Sequence, residues 1–242
     1  MPSPTAPPPS VVATIGLHAS ASTWVFNVAR ELLIASVGDD QVITLYADKL
    51  EQLPDAAARA GRCLVIKSHA GSADLDAWLA KASARLFLSV RDPRDACISM
   101  SQRFAVQLGH TVRWIADDCN RLLRLAPQGH QLLRYEDRFF DTPTSVERLA
   151  SQLGLRVAPA VIETIFARYR TEAVRAFAQT LPDLPPDRIT MVGSAPMDRV
   201  TQILGPHIGD ARSGKWRDLA DPLQAELTRM FGPFLARFNY PR

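Results

Sequence analysis

The chain has 242 residues, 47% of them hydrophobic and 22% charged, with a formal net charge of +3. Those proportions describe a soluble globular chain of one large domain or two small ones. The mild positive excess suits an anionic small ligand, and the lack of any run of Lys and Arg excludes nucleic acid as the main partner. The opening stretch MPSPTAPPPS has neither the basic nor the apolar region of a secretion signal. No apolar run reaches the ~20 residues of a membrane helix. Cys63, Cys97 and Cys119 form no CxxC and fit free thiols in a reducing compartment. The expectation is a cytoplasmic protein with a flexible Pro-rich tail over residues 1–10, one domain over residues 11–242, no membrane partner and no metal.

Strand-like and helix-like stretches alternate from there. Val11–Leu17 (VVATIGL) predicts a buried strand, and Ser22–Ser36 a helix with Val25, Val28, Ala29 and Leu32 at helical spacing. QVITLY, Gln41–Tyr46, predicts a second strand and Arg62–Ser68 a third, followed by a helix over Ala73–Ala84. Arg85–Val90 predicts a fourth strand, Asp92–Leu108 and Val112–Leu125 two helices, and His130–Tyr135 a fifth strand. From Pro143 the chain reads as mostly helical and ends in an amphipathic helix, Asp221–Arg237. Leu181–Asp210, rich in Pro and Gly, reads as a long lid or binding loop. Alternation of this kind predicts an α/β fold: a mainly parallel sheet covered by helices, with ligands at the carboxyl ends of the strands.

The residues after each strand therefore carry the chemistry. The first strand runs into HASASTW, His18–Trp24, a loop of small residues opening a helix. Backbone N–H groups at a helix start and the hydroxyls of Ser20, Ser22 and Thr23 suit an anion, although Ser22 or Thr23 could simply cap the helix. The loop is not a Walker A sequence, since GxxxxGK[ST] is absent. After the third strand, Lys67 and His69 stand two apart on an extended chain and face the same side. A neutral imidazole there can take a proton from a hydroxyl. After the fourth strand, Arg91 precedes Ser99 by eight residues, about two helical turns. Arg91 could grip a phosphate with two parallel bonds, or pair with Asp95 at the surface. The fifth strand ends at Tyr135-Glu136-Asp137. Before the last helix, Arg212, Ser213, Gly214, Lys215 and Arg217 read as a second anion cradle or as a charged turn.

These pieces, in this order, resemble the PAPS-dependent sulfotransferases, PAPS being 3′-phosphoadenosine 5′-phosphosulfate. HASASTW lies over the family's PKSGTTW, Lys67-Ser68-His69 over KTH, Arg91 and Ser99 over the Arg–Ser pair, Tyr135-Glu136-Asp137 over YED, and Ser213–Arg217 over a GxWK-like loop. The resemblance spans Val11 to Tyr240. It implies a single P-loop-like α/β domain that moves a sulfuryl group from PAPS to a hydroxyl or amine of a small-molecule or glycan acceptor. The product PAP, 3′-phosphoadenosine 5′-phosphate, is released without help from a metal.

The resemblance also implies residue roles. The loop His18, Ala19, Ser20, Ala21, Ser22 and Thr23 would hold the 5′-phosphosulfate, and Trp24 and Tyr135 would flank the adenine. Arg91 and Ser99, with Arg212 and the Ser213-Gly214 turn, would hold the 3′-phosphate. His69 would activate the acceptor, and Lys67 would stabilise the phosphosulfate. The departure is Ala19, which stands where the family carries Lys or Arg, with His18 at the family's proline. Losing one charged donor from such a site costs ~3 kcal/mol. Lys67 is the expected replacement, with a protonated His18 behind it. A non-catalytic nucleotide-binding relative and a small-molecule kinase are the competing readings. Oligomeric state is left open, with a homodimer as one option.

Overall fold

The structure is a computed structural model and describes residues 8–126, 130–205 and 208–241. Most of the Pro-rich tail therefore lies outside the described residues. Five strands form one parallel sheet: β1 (Val11–Gly16), β2 (Val42–Tyr46), β3 (Cys63–Ser68), β4 (Arg85–Val90) and β5 (Gln131–Arg134), in the order β2-β3-β1-β4-β5. The central strands are buried along nearly their whole length, as parallel strands covered on both faces must be.

Side chains alternate between the faces. Val12, Val65 and Phe87 point to a core shared with helices α1 (Ser22–Val37), α6 (Pro143–Gln152) and α7 (Pro159–Tyr169). Ala13, Ile15, Leu64, Ile66 and Leu88 point to a second core with α3 (Ala73–Lys81), α4 (Pro93–Phe104), α5 (Leu108–Leu125) and α10 (Gly232–Arg237). From β1 the chain goes to the edge strand β2, returns to β3 beside β1, then crosses to β4 on the other side. This reversal places the ligand crevice at the carboxyl end of β1.

The expected strands and the helices between them stand where the sequence put them, within a few residues. A short α2 (Ala56–Arg59) precedes β3. α4 stops at Ala105, which adopts a left-handed φ of 51°. β5 ends at Arg134, and Tyr135 opens a tight turn. The stretch expected as one long loop is not structureless. After α8 (Thr171–Gln179) it contains an antiparallel hairpin, β6 (Ile189–Val192) and β7 (Ala195–Asp198). The final helix is two: α9 (Asp221–Met230) breaks before Gly232-Pro233, and α10 follows. The three cysteines are buried and free of disulfides. Among the described residues, no helix is long and apolar enough to cross a membrane.

Candidate active site

Gly16 ends β1 where a side chain cannot fit. A Cβ there would lie 2.2 Å from Ser89 Oγ and 2.6 Å from Ser22 Cβ. The chain then turns through Ala19 and Ala21, both left-handed with φ of 60° and 62°. Alanine adopts this conformation at a cost of about 1–2 kcal/mol each. The outcome is a tight loop whose last residue, Ala21, is the N-cap of α1 and offers no side-chain hydrogen bond. Neither Ser22 nor Thr23 caps the helix; both lie inside its first turn, which holds no acidic residue. An uncapped helix start with its positive dipole end free is suited to an anion.

The loop opens into a cavity of ≈ 1320 Å³ at the carboxyl end of the sheet. Of the residues expected there, His18, Ala19, Ala21, Ser22, Thr23, Trp24, Lys67, His69, Arg91, Ser99 and Tyr135 line it. Four stand elsewhere. Ser20 turns inward, donating to Leu17 O at 2.6 Å and meeting Ser89 Oγ at 2.8 Å, so its hydroxyl ties the loop to β4 instead of facing a ligand. Arg212 points to the surface and pairs with Asp218. Ser213 and Gly214 do not reach the cavity wall. The turn they begin is pinned to α4 by Asp95, which accepts from Gly214 N at 2.5 Å and Trp216 N at 3.0 Å. Asp95 is thus spent on this turn and is not the partner of Arg91. Lys215 takes the turn's place in the cavity wall, held by Asp210 at 2.6 Å.

Arg91 is buried and braces the loop. Its Nη1 donates to Ala19 O at 3.0 Å and its Nη2 to Arg212 O at 2.8 Å. The guanidinium lies 4.1 Å from the centre of the Tyr135 ring, a cation–π contact. Lys67 is buried at the end of β3. Burial, reinforced by the charge of Arg103, pushes its ammonium down to about 7. Arg103 also lines the cavity and was not expected from the sequence. Burial and the neighbouring Arg91 push it down to about 10. It lies one turn beyond Ser99 on α4, on the same helix face. That i, i+4 spacing was the signal available in the sequence. Asn27 and Gln202 were missed as well. Both are buried in the cavity wall, each with a side-chain oxygen lacking a hydrogen-bond partner.

Lys67 and His69 face the cavity together, as their spacing predicts, while Ser68 between them turns away to Asp48 at 2.7 Å. His69 Nδ1 donates to Gly16 O at 2.6 Å, which fixes the tautomer and leaves Nε2 as an acceptor. Burial, followed by the charges of His18 and Lys67, holds His69 well below the usual imidazole range, so it is neutral at pH 7. The His18 ring stacks on it, centres 3.8 Å apart and planes 19° from parallel. Asp118 of α5 accepts from both His18 N, at 2.8 Å, and His18 Nδ1, at 2.6 Å.

His18, His69 and Asp118 are close enough together to be tested as a metal site. An ion bound by both rings must lie near both ring planes, which this stacking does not offer, and both Nδ1 atoms are already engaged. The arrangement can therefore hold a polyanion on cations and helix N–H groups, and take a proton on an imidazole.

No family model matches the sequence, and no curated protein does. Solved structures do. Mouse sulfotransferase SULT7A1, complexed with PAP, is similar with a TM-score of 0.66 at 12% identity, over 94% of this chain and 85% of that one. Retinol dehydratase in a complex with retinol and PAP is similar with a TM-score of 0.56 at 14% identity, over 96% of this chain and 82% of that one. The same protein with androsterone and PAP gives the same values. The chain has the sulfotransferase fold, as its motifs led one to expect.

Proposed function

We propose that this protein is a PAPS-dependent sulfotransferase acting on a hydroxyl of a small, largely apolar molecule. The observation that carries the reading is the convergence, in one cavity, of the uncapped start of α1 with Lys67, Arg91, Arg103 and Lys215. Lys215 has Asp210 beside it, but Lys67 is repelled by Arg103 and Arg103 by Arg91, a repulsion that an anion of several charges among them would relieve. A nucleotide with a 3′-phosphate and a 5′-phosphosulfate is such an anion. Sulfuryl transfer resembles phosphoryl transfer in needing mainly in-line positioning and donors aimed at the leaving phosphate. The charge missing at Ala19 is supplied by Lys67 and Arg103. One of the two stacked imidazoles takes the acceptor's proton. Met100, Phe104, Val106, Trp114, Met197 and Leu204 give the cavity apolar lining, which favours a flat alcohol or phenol over a glycan. Retinol and androsterone in the similar structures are of that kind. Ala19 favours a second reading, a protein that binds the nucleotide without transferring sulfate.

Thermal unfolding with PAP, ADP and ATP tests the donor site. At a hundred times its dissociation constant a ligand adds ~2.7 kcal/mol, a rise of roughly 5–10 °C for a chain of this size. PAP is expected to give that rise and ATP a smaller one. A rise with ATP and none with PAP would replace the sulfotransferase with a kinase.

Lys67 adds a pH signature. Burial and Arg103 depress its ammonium to about 7, and a phosphosulfate or phosphate beside it raises that value. Between the two, binding takes up a proton. PAP affinity is therefore expected to be full below pH 7 and to fall as pH rises above it. Calorimetry at pH 8 in two buffers of different ionisation enthalpy should show uptake approaching one proton. Lys67→Met should remove the uptake. Uptake that persists in the variant assigns the proton to another group.

A further inference from the structure

We propose that the acceptor's proton goes to His18, held by Asp118, and not to His69. The inference rests on the sulfotransferase reading and names a base that the sequence motifs place elsewhere. Both imidazoles have Nδ1 engaged and Nε2 remaining, so geometry alone allows either to accept a proton. What happens after the proton arrives separates them. On His69 the new charge would sit in a buried position beside Lys67 and near Arg121. Its Nδ1–H is held only by the neutral carbonyl of Gly16. On His18 the new charge would lie 2.6 Å from a carboxylate. A buried carboxylate on Nδ1–H both orients an imidazole and stabilises its protonated form.

Access points the same way. Both rings line the cavity, but the His18 side chain is 29% exposed, whereas His69 is buried with one face covered by the His18 ring. The Asp118 carboxylate is fully buried and directs its contacts to His18 through Oδ2 alone, while Oδ1 has no partner. Other titratable and charged groups around the pair are Lys67 at the end of β3, Tyr46 at the end of β2, Asp48 beyond it, and Asp117 and Arg121 on α5. Among the described residues none of these hydrogen-bonds to the His18 ring, so Asp118 is its ionic partner there.

The step then balances. The acceptor oxygen forms a bond to sulfur as its proton moves to His18 Nε2. The bond from sulfur to the bridging oxygen breaks, and its electron pair stays on the 5′-phosphate of PAP. His18 is the catalytic residue. Asp118 is a positioning residue acting through it, and His69 packs beneath His18 to hold the ring in place.

The experiment offers PAPS with 2-naphthol and follows both PAP release and naphthyl sulfate, so that transfer to naphthol and to water are both read. Wild type is compared with His18→Gln, His69→Gln and Asp118→Asn across pH 5.5–9, with PAP binding measured for each by thermal shift. His18→Gln is expected to lose roughly a hundredfold or more in kcat, to keep PAP binding, and to lose the acid limb of the kcat profile. Asp118→Asn should lower kcat with KM for PAPS unchanged. His69→Gln should keep the limb. A His18→Gln protein that keeps wild-type kcat while His69→Gln loses it overturns the proposal and returns the role to His69. A wild type that binds PAP yet releases none from PAPS overturns the transferase reading, and the proposal with it.

Discussion

Arg91→Ala is expected to lose both PAP and adenosine 5′-phosphate, and to lose about 3 kcal/mol of stability with them. The resemblance alone gives Arg91 to the 3′-phosphate, so that only PAP should suffer. The structure gives it a further task, since two of its guanidinium nitrogens donate to the carbonyls of Ala19 and Arg212. Removing a charged donor from two partly buried carbonyls costs about 1.5–3 kcal/mol for each bond at most. The melting temperature should fall by roughly 6–12 °C. The 5′-phosphate site should go as well, because the Ala19 carbonyl fixes the backbone that faces it. Unfolding curves and titrations with both nucleotides decide the matter. Unchanged stability with a loss confined to PAP would make Arg91 a phosphate ligand and not a brace.

Arg121→Met should be nearly as costly. This guanidinium is buried on α5, donating to Asp76 at 2.9 Å and 2.7 Å and to the carbonyl of His69 at 2.9 Å. It also fills the space above Gly71, where a Cβ would come within 2.4 Å of it. Breaking one partner of such a pair costs about 3–5 kcal/mol, less here to the extent that Asp76 is partly open to solvent. A fall in melting temperature of roughly 10 °C is expected. Because Asp118 stands one turn earlier on the same helix, α5 holds both histidines. Transfer should fall further than PAP affinity, which depends on α1 and α4. A variant with a wild-type melting curve would show that the His69 turn holds itself.

The sheet was legible because parallel strands buried on both faces are written as apolar runs, and VVATIGL, CLVIKS and RLFLSV are such runs. The site was legible where position alone mattered. Lys67, His69, Arg91, Ser99 and Tyr135 follow strands, and the fold brings strand ends together. Direction was not legible. Ser20 and Ser22 read alike in HASASTW, yet the first faces Ser89 and the second the cavity. Arg212 and Lys215 read alike as basic turn residues, and the fixing of their turn by Asp95 chose between them. Asp118 could not be found, because nothing local marks one of two adjacent aspartates on a long helix as the partner of a residue 100 positions earlier. The hairpin was readable in principle. Gly193-Ser194 separates two extended runs by the two residues a tight turn needs, but Pro196 weakened the second run.

That hairpin has a consequence for how the protein can change over time. The donor wall is made by the ends of the main sheet and the starts of its helices, where Gly16 and Gly71 leave no room for a larger residue. Val192, Gly193, Ser194, Ala195 and Met197 reach the cavity from a two-stranded ribbon outside that sheet. Met191 and Val192 are exposed on it. Substitutions there can reshape one side of the cavity while the sheet and its junctions stay as they are. Inheritance can thus keep the nucleotide half of the cavity fixed and let the other half drift, and a graft of residues 189–198 is the corresponding route for redesign.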